Sequence, residues 1–186
     1  MQHLWYIVTM RPAERIRFER FLEWDRACTL HLNRAAMSRE WITVLAVVSR
    51  LSDGSIWYFL MGALALAGPA GLKCSLHMFL AGATAVVLYK LVKHYACRPR
   101  PCALLEEVQS CIPPLDEFSF PSGHTLHAVT FTTVAVAYFP SLAIGLVPFT
   151  CCVGVSRVAL GLHYPSDVIA GAAIGGIVGL LSFYFV

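Results

Sequence analysis

Three short polar clusters, each beside a long apolar stretch, carry most of the residues in this sequence that could do chemistry. In chain order they are Lys93-x6-Arg100-Pro101, Pro121-Ser122-Gly123-His124, and Ser156-Arg157-x5-His163-x3-Asp167. Alternating crossings of the apolar stretches place all three clusters on the same side of the protein. We therefore expect them to converge on one site.

The first chemical signal is an excess of phosphate-binding groups. Lys93, Arg100 and Arg157 supply three cations, and the fork of an arginine guanidinium matches pairs of phosphate oxygens. Ser122 and Gly123 stand at the start of an expected helix, where free backbone N–H groups and the helix dipole favour an anion. These five residues are the predicted phosphate-binding set.

The second signal is a pair of histidines with an acid. His163 and Asp167 are four residues apart, and Pro165 between them suits the first turn of a helix. Asp167 can then point back at the His163 ring, fix its tautomer and make the other ring nitrogen a better nucleophile. His124 is left as a second imidazole, able to protonate a leaving oxygen.

Less specific interpretations exist for each residue alone. The cations could be ordinary charges flanking membrane spans, and Asp167 could serve the helix dipole of the last helix. We interpret Arg98, which precedes the first cluster's arginine, as a solvated loop charge. Only the joint pattern favours catalysis, because ionisable residues at membrane depth are functional by default.

The composition indicates that lipid surrounds most of this chain. Of the 186 residues, 58% are hydrophobic and 13% charged, against roughly 25% charged in soluble domains. The formal charge of +3, with no basic run, gives no support for nucleic-acid binding. Five stretches predict clear transmembrane helices, and these are Ser55–Gly68, Leu72–Lys90 or slightly beyond, His124–Phe139, Ser141–Leu160 and Pro165–Val186.

The fold class expected is therefore all-α, a single polytopic membrane bundle over residues 1–186. Residues 39–51 form a sixth, doubtful span, because they look too short to cross alone. Residues 12–35 alternate charged and apolar side chains, which predicts an amphipathic helix within an interfacial segment 1–38, with its arginines on the wet side. A soluble helix capping the bundle is the alternative.

Two further features have simple interpretations. Gly171, Gly175 and Gly179 recur every four residues, which favours close helix packing in lipid. Seven cysteines show no zinc-ligand spacing, and a disulfide among Cys97, Cys102 and Cys111 stays open. The polar stretch 93–123 separates two spans, and we expect it to form an active-site loop.

The three clusters resemble the signature of the type 2 phosphatidic acid phosphatase superfamily, KxxxxxxRP, PSGH and SRxxxxxHxxxD. Every signature position matches between residues 93 and 167. The resemblance implies that His163 attacks phosphorus and forms a phosphohistidine, that Asp167 orients it, and that His124 moves the protons. The phosphate-binding set would hold the phosphoryl oxygens. We expect no metal or other cofactor, since the site lacks a carboxylate cluster for magnesium.

The resemblance also implies a substrate class and a location. Family members act on phosphatidic acid, phosphatidylglycerol phosphate, lipid A phosphates and undecaprenyl pyrophosphate, and we favour the last or a glycerophospholipid phosphate, with residues 102–119 as a substrate lid. The expected location is a bacterial inner membrane, and the resemblance favours a site on the extracytoplasmic face. If residues 39–51 span, the arginine-rich start lies opposite the site and the positive-inside rule agrees; if they lie only in the interface, that argument reverses. No obligate protein partner is indicated. The alternatives are a lipid-phosphate binding or transport protein without turnover and a vanadate-dependent oxidase.

Overall fold

The structure is a computed structural model that describes residues 11–36, 38–109, 113 and 116–186, and these residues fold into a helical bundle. Its helices are α1 (Pro12–Ala35), α2 (Arg39–Leu51), α3 (Ser55–Leu66), α4 (Pro69–Ala96), the short α5 (Pro101–Leu104), α6 (Gly123–Tyr138), α7 (Ala143–Ala159) and α8 (Pro165–Leu181), with 3-10 turns at Pro140–Leu142 and Ser182–Tyr184.

Helix starts and stops follow the predicted local signals. Pro69, Pro101 and Pro165 each open a helix, where the missing N–H would have no partner and the fixed φ already suits the helix. Gly68 takes a φ of 110° between α3 and α4, a backbone conformation that favours glycine. The structure breaks the helices at both gaps between the expected stretches, after Leu66 and after Tyr138.

The prediction of five clear spans is not confirmed. Three helical stretches are long and apolar enough to cross a membrane, namely Pro69–Ala96, Pro140–Ala159 and Pro165–Tyr184. Helix α6 has 16 residues and α3 has 12, so they rise only about 24 and about 18 Å, short of the roughly 30 Å hydrocarbon core. The doubtful segment 39–51 joins α3 across a 50° bend, and the pair passes the length and composition test together.

The core lies where α3, α4, α6 and α7 meet, around Trp57, Met78 and Phe131. The glycine row of α8 packs as predicted against α6. A Cβ on Gly171 would lie 2.5 Å from the Ser122 carbonyl oxygen, and one on Gly175 would lie 2.3 Å from that of Leu126. This backbone contact fixes the start of α6 against the start of α8.

Helix α1 is present, but its polar face is turned inward. Asp25, Thr29 and Asn33 are buried at four-residue spacing, whereas Phe21 and Trp24 are 45% and 49% exposed. The predicted amphipathic arrangement therefore holds for the exposed arginines of α1, but not for its buried polar residues or its exposed aromatic side chains. Residues 1–10 and 37 of the predicted interfacial segment lie outside the described residues.

Candidate active site

The three predicted clusters meet at one cavity of about 740 Å³. Six of the eight predicted site residues line it, and they are Lys93, Arg100, Gly123, His124, Arg157 and His163. Ser122 and Asp167, both fully buried, lie behind this wall. We call the end of the bundle that holds the six residues the catalytic end.

Short backbone contacts bring the clusters together. Pro99 pairs with Phe118 in an isolated β-bridge, and the N–H of Ser119 donates to the carbonyl of Arg98 at 2.7 Å. The N–H of Ser122 donates to the carbonyl of Asp167 at 3.0 Å. The three clusters are thus tied through main-chain bonds that do not depend on side-chain type.

His163 occupies the floor of the cavity and is 1% exposed. Its Nε2 lies 3.2 Å from Arg100 Nη1, so this nitrogen faces a donor and carries a lone pair. Burial, followed by the positive charges of Arg157 and Arg100, holds the pKa of the His163 imidazole well below its usual value. The ring is therefore neutral at pH 7, with its proton on Nδ1 and its lone pair aimed at the cations.

Asp167 lies behind the ring but makes no hydrogen bond to it. Its Oδ2 is 3.7 Å from His163 Nδ1, longer than a hydrogen bond. Both carboxylate oxygens are already engaged, Oδ2 by the N–H of Tyr164 at 2.8 Å and Oδ1 by Arg98 at 2.7 Å. The i, i+4 spacing therefore brings the Asp167 carboxylate next to Nδ1, as the sequence indicates, but without a direct hydrogen bond.

The cations converge as the sequence indicates, but an acid stands among them. Lys93 Nζ contacts Asp116 Oδ2 at 2.6 Å, and Arg100 Nη2 contacts Asp116 Oδ1 at 2.5 Å. Burial opposes ionisation of Asp116, yet hydrogen bonds and charge from Lys93 and Arg100 outweigh it and lower the pKa of this carboxyl. Sequence reasoning included Asp116 only within the lid 102–119 and gave it no role.

Two buried N–H groups at the site have no partner within the part of the chain that the structure describes. They are Arg157 Nε and His163 Nδ1. Arg157 uses Nη1 to donate to the hydroxyl of Ser49. Buried donors without partners are costly, so an acceptor in the cavity would find both a charge and an open hydrogen bond at Arg157.

His124 stands at the wall of the cavity beside the bend between α2 and α3. Its Nε2 contacts the carboxylate of Asp53 directly, and the two side chains are 12% and 37% exposed. The spacing of 71 residues gave no signal for this pair. His127, one turn further on, donates from Nδ1 to the Gly123 carbonyl at 2.8 Å and packs against Tyr89.

Ser122 and Gly123 mark the start of α6 as predicted. The Ser122 hydroxyl bonds the Thr125 hydroxyl at 3.0 Å inside the protein, while Gly123 lines the cavity. The Ser122 side chain is therefore engaged within the protein, and Gly123 is the residue of this turn that borders the cavity.

Comparison with known proteins gives the family. The sequence model described as the PAP2 superfamily matches residues 74–186, more than half of the chain. The chain belongs to the PAP2 superfamily. Its fold resembles the crystal structure of Aquifex aeolicus LpxE, with a TM-score of 0.75, 30% identity, and 88% and 94% of the two chains covered.

Curated relatives of this PAP2 chain are lipid phosphatases. It is 32% identical over 112 residues to the undecaprenyl-diphosphatase BcrC of Bacillus subtilis, covering 59% of this chain and 58% of that protein. It is 42% identical over 64 residues to a lipid A 1-phosphatase of Rhizobium etli, covering 34% and 28%. The matched stretches therefore span about a quarter to three-fifths of these relatives. With its spanning helices, the PAP2 chain is an integral membrane protein.

The cavity of the PAP2 chain continues away from the cations into an apolar cleft between α3 and α4. Trp57, Met61, Phe79 and Val86 line this part. Phe79 is 61% exposed on the outside of the bundle, where lipid would surround it. The site thus joins a charged floor to an apolar side that reaches the membrane-facing surface.

Arg98 is the clearest correction to the sequence interpretation. It is not a solvated loop charge, because it bridges two buried carboxylates, Asp25 at 2.7 Å and Asp167 at 2.7 Å. Its guanidinium also lies 4.0 Å from the Tyr164 ring centroid. A partner 73 residues away in α1 leaves no local trace in the sequence.

The position of α1 bears on the expectation that the arginine-rich start of the chain lies on the membrane face opposite the site. Asp25 and Asn33 bond to Ser166 and to the carbonyl of Ala159, so the arginine-rich α1 lies at the catalytic end and not opposite it. The charge argument for an extracytoplasmic site therefore does not apply to this PAP2 chain.

Metal and disulfide predictions can be compared with the described residues only. Among them, no group of three or more His, Cys, Asp or Glu side chains is arranged to hold a metal ion. Cys97 and Cys102 carry free thiols, and Cys111 lies outside the described residues.

Proposed function

We propose that this PAP2 chain is a metal-independent phosphatase for lipid phosphates or pyrophosphates that works through a phosphohistidine on His163. The observation that carries the proposal is the position of the His163 ring, which faces the cations of the cavity. Its Nε2 lies 3.2 Å from Arg100 Nη1 at the floor of a cavity shared with Lys93 and Arg157. A phosphoryl group held by these cations would place its phosphorus against that lone pair.

The reaction balances with the residues present. His163 Nε2 bonds to phosphorus while the bond from phosphorus to the leaving oxygen breaks, and His124 gives that oxygen its proton. Water then attacks the same phosphorus, passes a proton to His124 and releases phosphate and free His163. Lys93, Arg100 and Arg157 stabilise the negative charge that develops on the equatorial oxygens.

The apolar cleft supports a lipid as the carrier of the phosphate. A hydrocarbon chain beside Trp57 and Val86 would leave water while its phosphate reaches the cations. Undecaprenyl pyrophosphate and a glycerophospholipid phosphate are the favoured substrates, in keeping with the names of the relatives. The extracytoplasmic face of a bacterial inner membrane remains part of the proposal, and it rests on the family resemblance alone.

The test is phosphate release by the purified protein in detergent with EDTA present. The panel contains undecaprenyl pyrophosphate, phosphatidylglycerol phosphate and phosphatidic acid, with p-nitrophenyl phosphate as a substrate without a tail. We expect release from a lipid that survives EDTA and disappears in His163→Ala. His31→Ala, which removes an exposed histidine of α1, is the matched control and keeps the parent rate.

Equal release by His163→Ala and the parent would refute the assigned nucleophile. Loss of activity in EDTA would refute the metal-independent mechanism. Tight binding of a lipid phosphate without release would favour the binding or transport protein instead.

A further inference from the structure

The contact between α1 and the site is made by polar groups. Asp25, Thr29 and Asn33 lie along the inner face of α1, and each is 0% or 1% exposed. Asn33 Nδ2 donates to the carbonyl of Ala159 at 2.8 Å. Because apolar burial does not explain this face, its polar groups deserve separate functional explanations.

Asp25 has more partners than helix docking requires. Its Oδ1 accepts the backbone N–H of Ser166 at 3.0 Å, and its Oδ2 accepts the Ser166 hydroxyl and Arg98 Nη2. Ser166 is the second residue of α8, whose first turn also contains Asp167. A fully buried carboxylate is unfavourable unless it is paired. Its partners here are the first turn of α8 and Arg98, which itself contacts Asp167.

Arg98 links the Asp25 carboxylate to the carboxylate of Asp167. One guanidinium nitrogen contacts Asp25 at 2.7 Å and the other contacts Asp167 at 2.7 Å. Two carboxylates therefore share a single cation, so the group of three carries a net charge of −1. With Asp25 neutral, Arg98 would cancel the charge of Asp167, and the region behind the ring would have no net charge.

We infer that Asp25 is a positioning residue for the nucleophile, acting through Arg98 and Ser166 on Asp167. The inference rests on the proposed phosphohistidine chemistry. When neutral His163 bonds to phosphorus through Nε2, its ring becomes an imidazolium, and a net negative charge behind Nδ1 stabilises it. Asp25 supplies that charge and holds the first turn of α8 in place.

The test compares Asp25→Asn with the double variant Asp25→Asn/Arg98→Gln. The single variant changes the net charge of the group from −1 to zero, and we expect kcat to fall about tenfold with KM near the parent value. The double variant restores −1 through Asp167 alone. We expect the kcat of the double variant to be about threefold or more above that of the single variant, although the double variant breaks more contacts.

A structural role would give a different pattern. If Asp25 only docks α1, removing Arg98 as well would make the protein slower and less stable than the single variant. Asn33→Ala is the matched control, since it removes a buried polar group from the same face of α1. It should lower the melting temperature and leave kcat within about twofold of the parent.

Rates are normalised to the phosphoenzyme burst, so unfolded molecules do not enter kcat. Parental kcat in Asp25→Asn, or a double variant no faster than the single one, would overturn the inference. Either result leaves the proposed function standing, because that function is judged by the parent and His163→Ala on the same substrate.

Discussion

The two histidines of the site occupy contrasting surroundings. His163 is 1% exposed, and its nearest carboxylate stays 3.7 Å away, held by Arg98 and by a backbone N–H. His124 is 12% exposed and directly contacts Asp53, which is 37% exposed at a helix bend. The buried histidine lies among fully buried polar groups, and among the described residues the outer one contacts a partly exposed carboxylate that water can replace.

This difference matches two different chemical tasks. A nucleophile benefits from fixed geometry and a desolvated lone pair, whereas a residue that gives and takes protons must exchange them with solvent. The contrast between the buried His163 and the more exposed His124 can be tested by making the same substitution at both positions and in their neighbouring carboxylates.

The largest expected difference is in chemical rescue. His163→Ala should abolish phosphate release, and His124→Ala should lower kcat by roughly 10²- to 10⁴-fold, the usual contribution of acid–base catalysis. Added imidazole should restore part of the rate to His124→Ala only, because a free imidazole at the cavity floor would lack the chain that fixes the His163 ring against the phosphorus. Rescue of His163→Ala but not of His124→Ala would contradict the contrast.

The carboxylates beside the two histidines should show the same order of effects on kcat, with the larger loss at Asp167 and the smaller one at Asp53. We expect Asp167→Asn to lower kcat about 100-fold, since no water can replace a fully buried charge, and Asp53→Asn to lower it about tenfold. Steady-state kinetics on one lipid phosphate measure both. A larger loss of kcat in Asp53→Asn would show that the rate depends more on the His124–Asp53 pair than on the His163–Asp167 pair.

Asp116 offers a test on the binding side. Its carboxylate oxygens lie 2.6 Å from Lys93 Nζ and 2.5 Å from Arg100 Nη2. A substrate phosphate that binds these two cations would have to displace the carboxylate. Asp116→Asn should lower KM by about three- to tenfold, because a neutral amide competes less well for the cations. Glu117→Gln, a neighbouring acid of no assigned role, should leave KM unchanged. An increase of KM in Asp116→Asn would mean that this acid helps to bind substrate.

The smallest effect concerns pH and stability. The pKa of His163 is lowered in the folded protein, so the unfolded chain binds more protons below its ordinary pKa of 6.5. Stability from this group is therefore present above about pH 6.5 and declines as the pH falls. We expect the melting temperature to drop by about 2–4 °C between pH 7 and pH 5, and His163→Gln to reduce that drop. An equal drop in the variant would assign it to other groups.

The sequence predicted much of the inner frame because its signals are local. Pro165 indicated the start of α8, and the glycine row predicted close helix packing, although it did not indicate that the partner is the start of α6 at Ser122. The three clusters reached one cavity because each stands at a helix end.

What the sequence did not predict depends on contacts between distant segments. Asp53 and Asp116 each contact a site residue through the tertiary fold, and Asp25 is linked to Asp167 through Arg98. An acid in a polar segment looks the same in the sequence whether it is solvated or buried. Arg98 was wrongly interpreted for this reason. The count of five clear spans was not confirmed, because hydropathy does not reveal that α3 ends after 12 residues and bends by 50° from α2.

The most direct test of the account is capture of the phosphoenzyme. The protein is mixed for milliseconds with a lipid phosphate carrying a labelled phosphoryl group, quenched in alkali, and digested for peptide mapping. We predict an alkali-stable, acid-labile label on the peptide containing His163, absent in His163→Ala and longer-lived in His124→Ala. Turnover without any label, or a label on His124, would contradict the assignment of His163 as nucleophile.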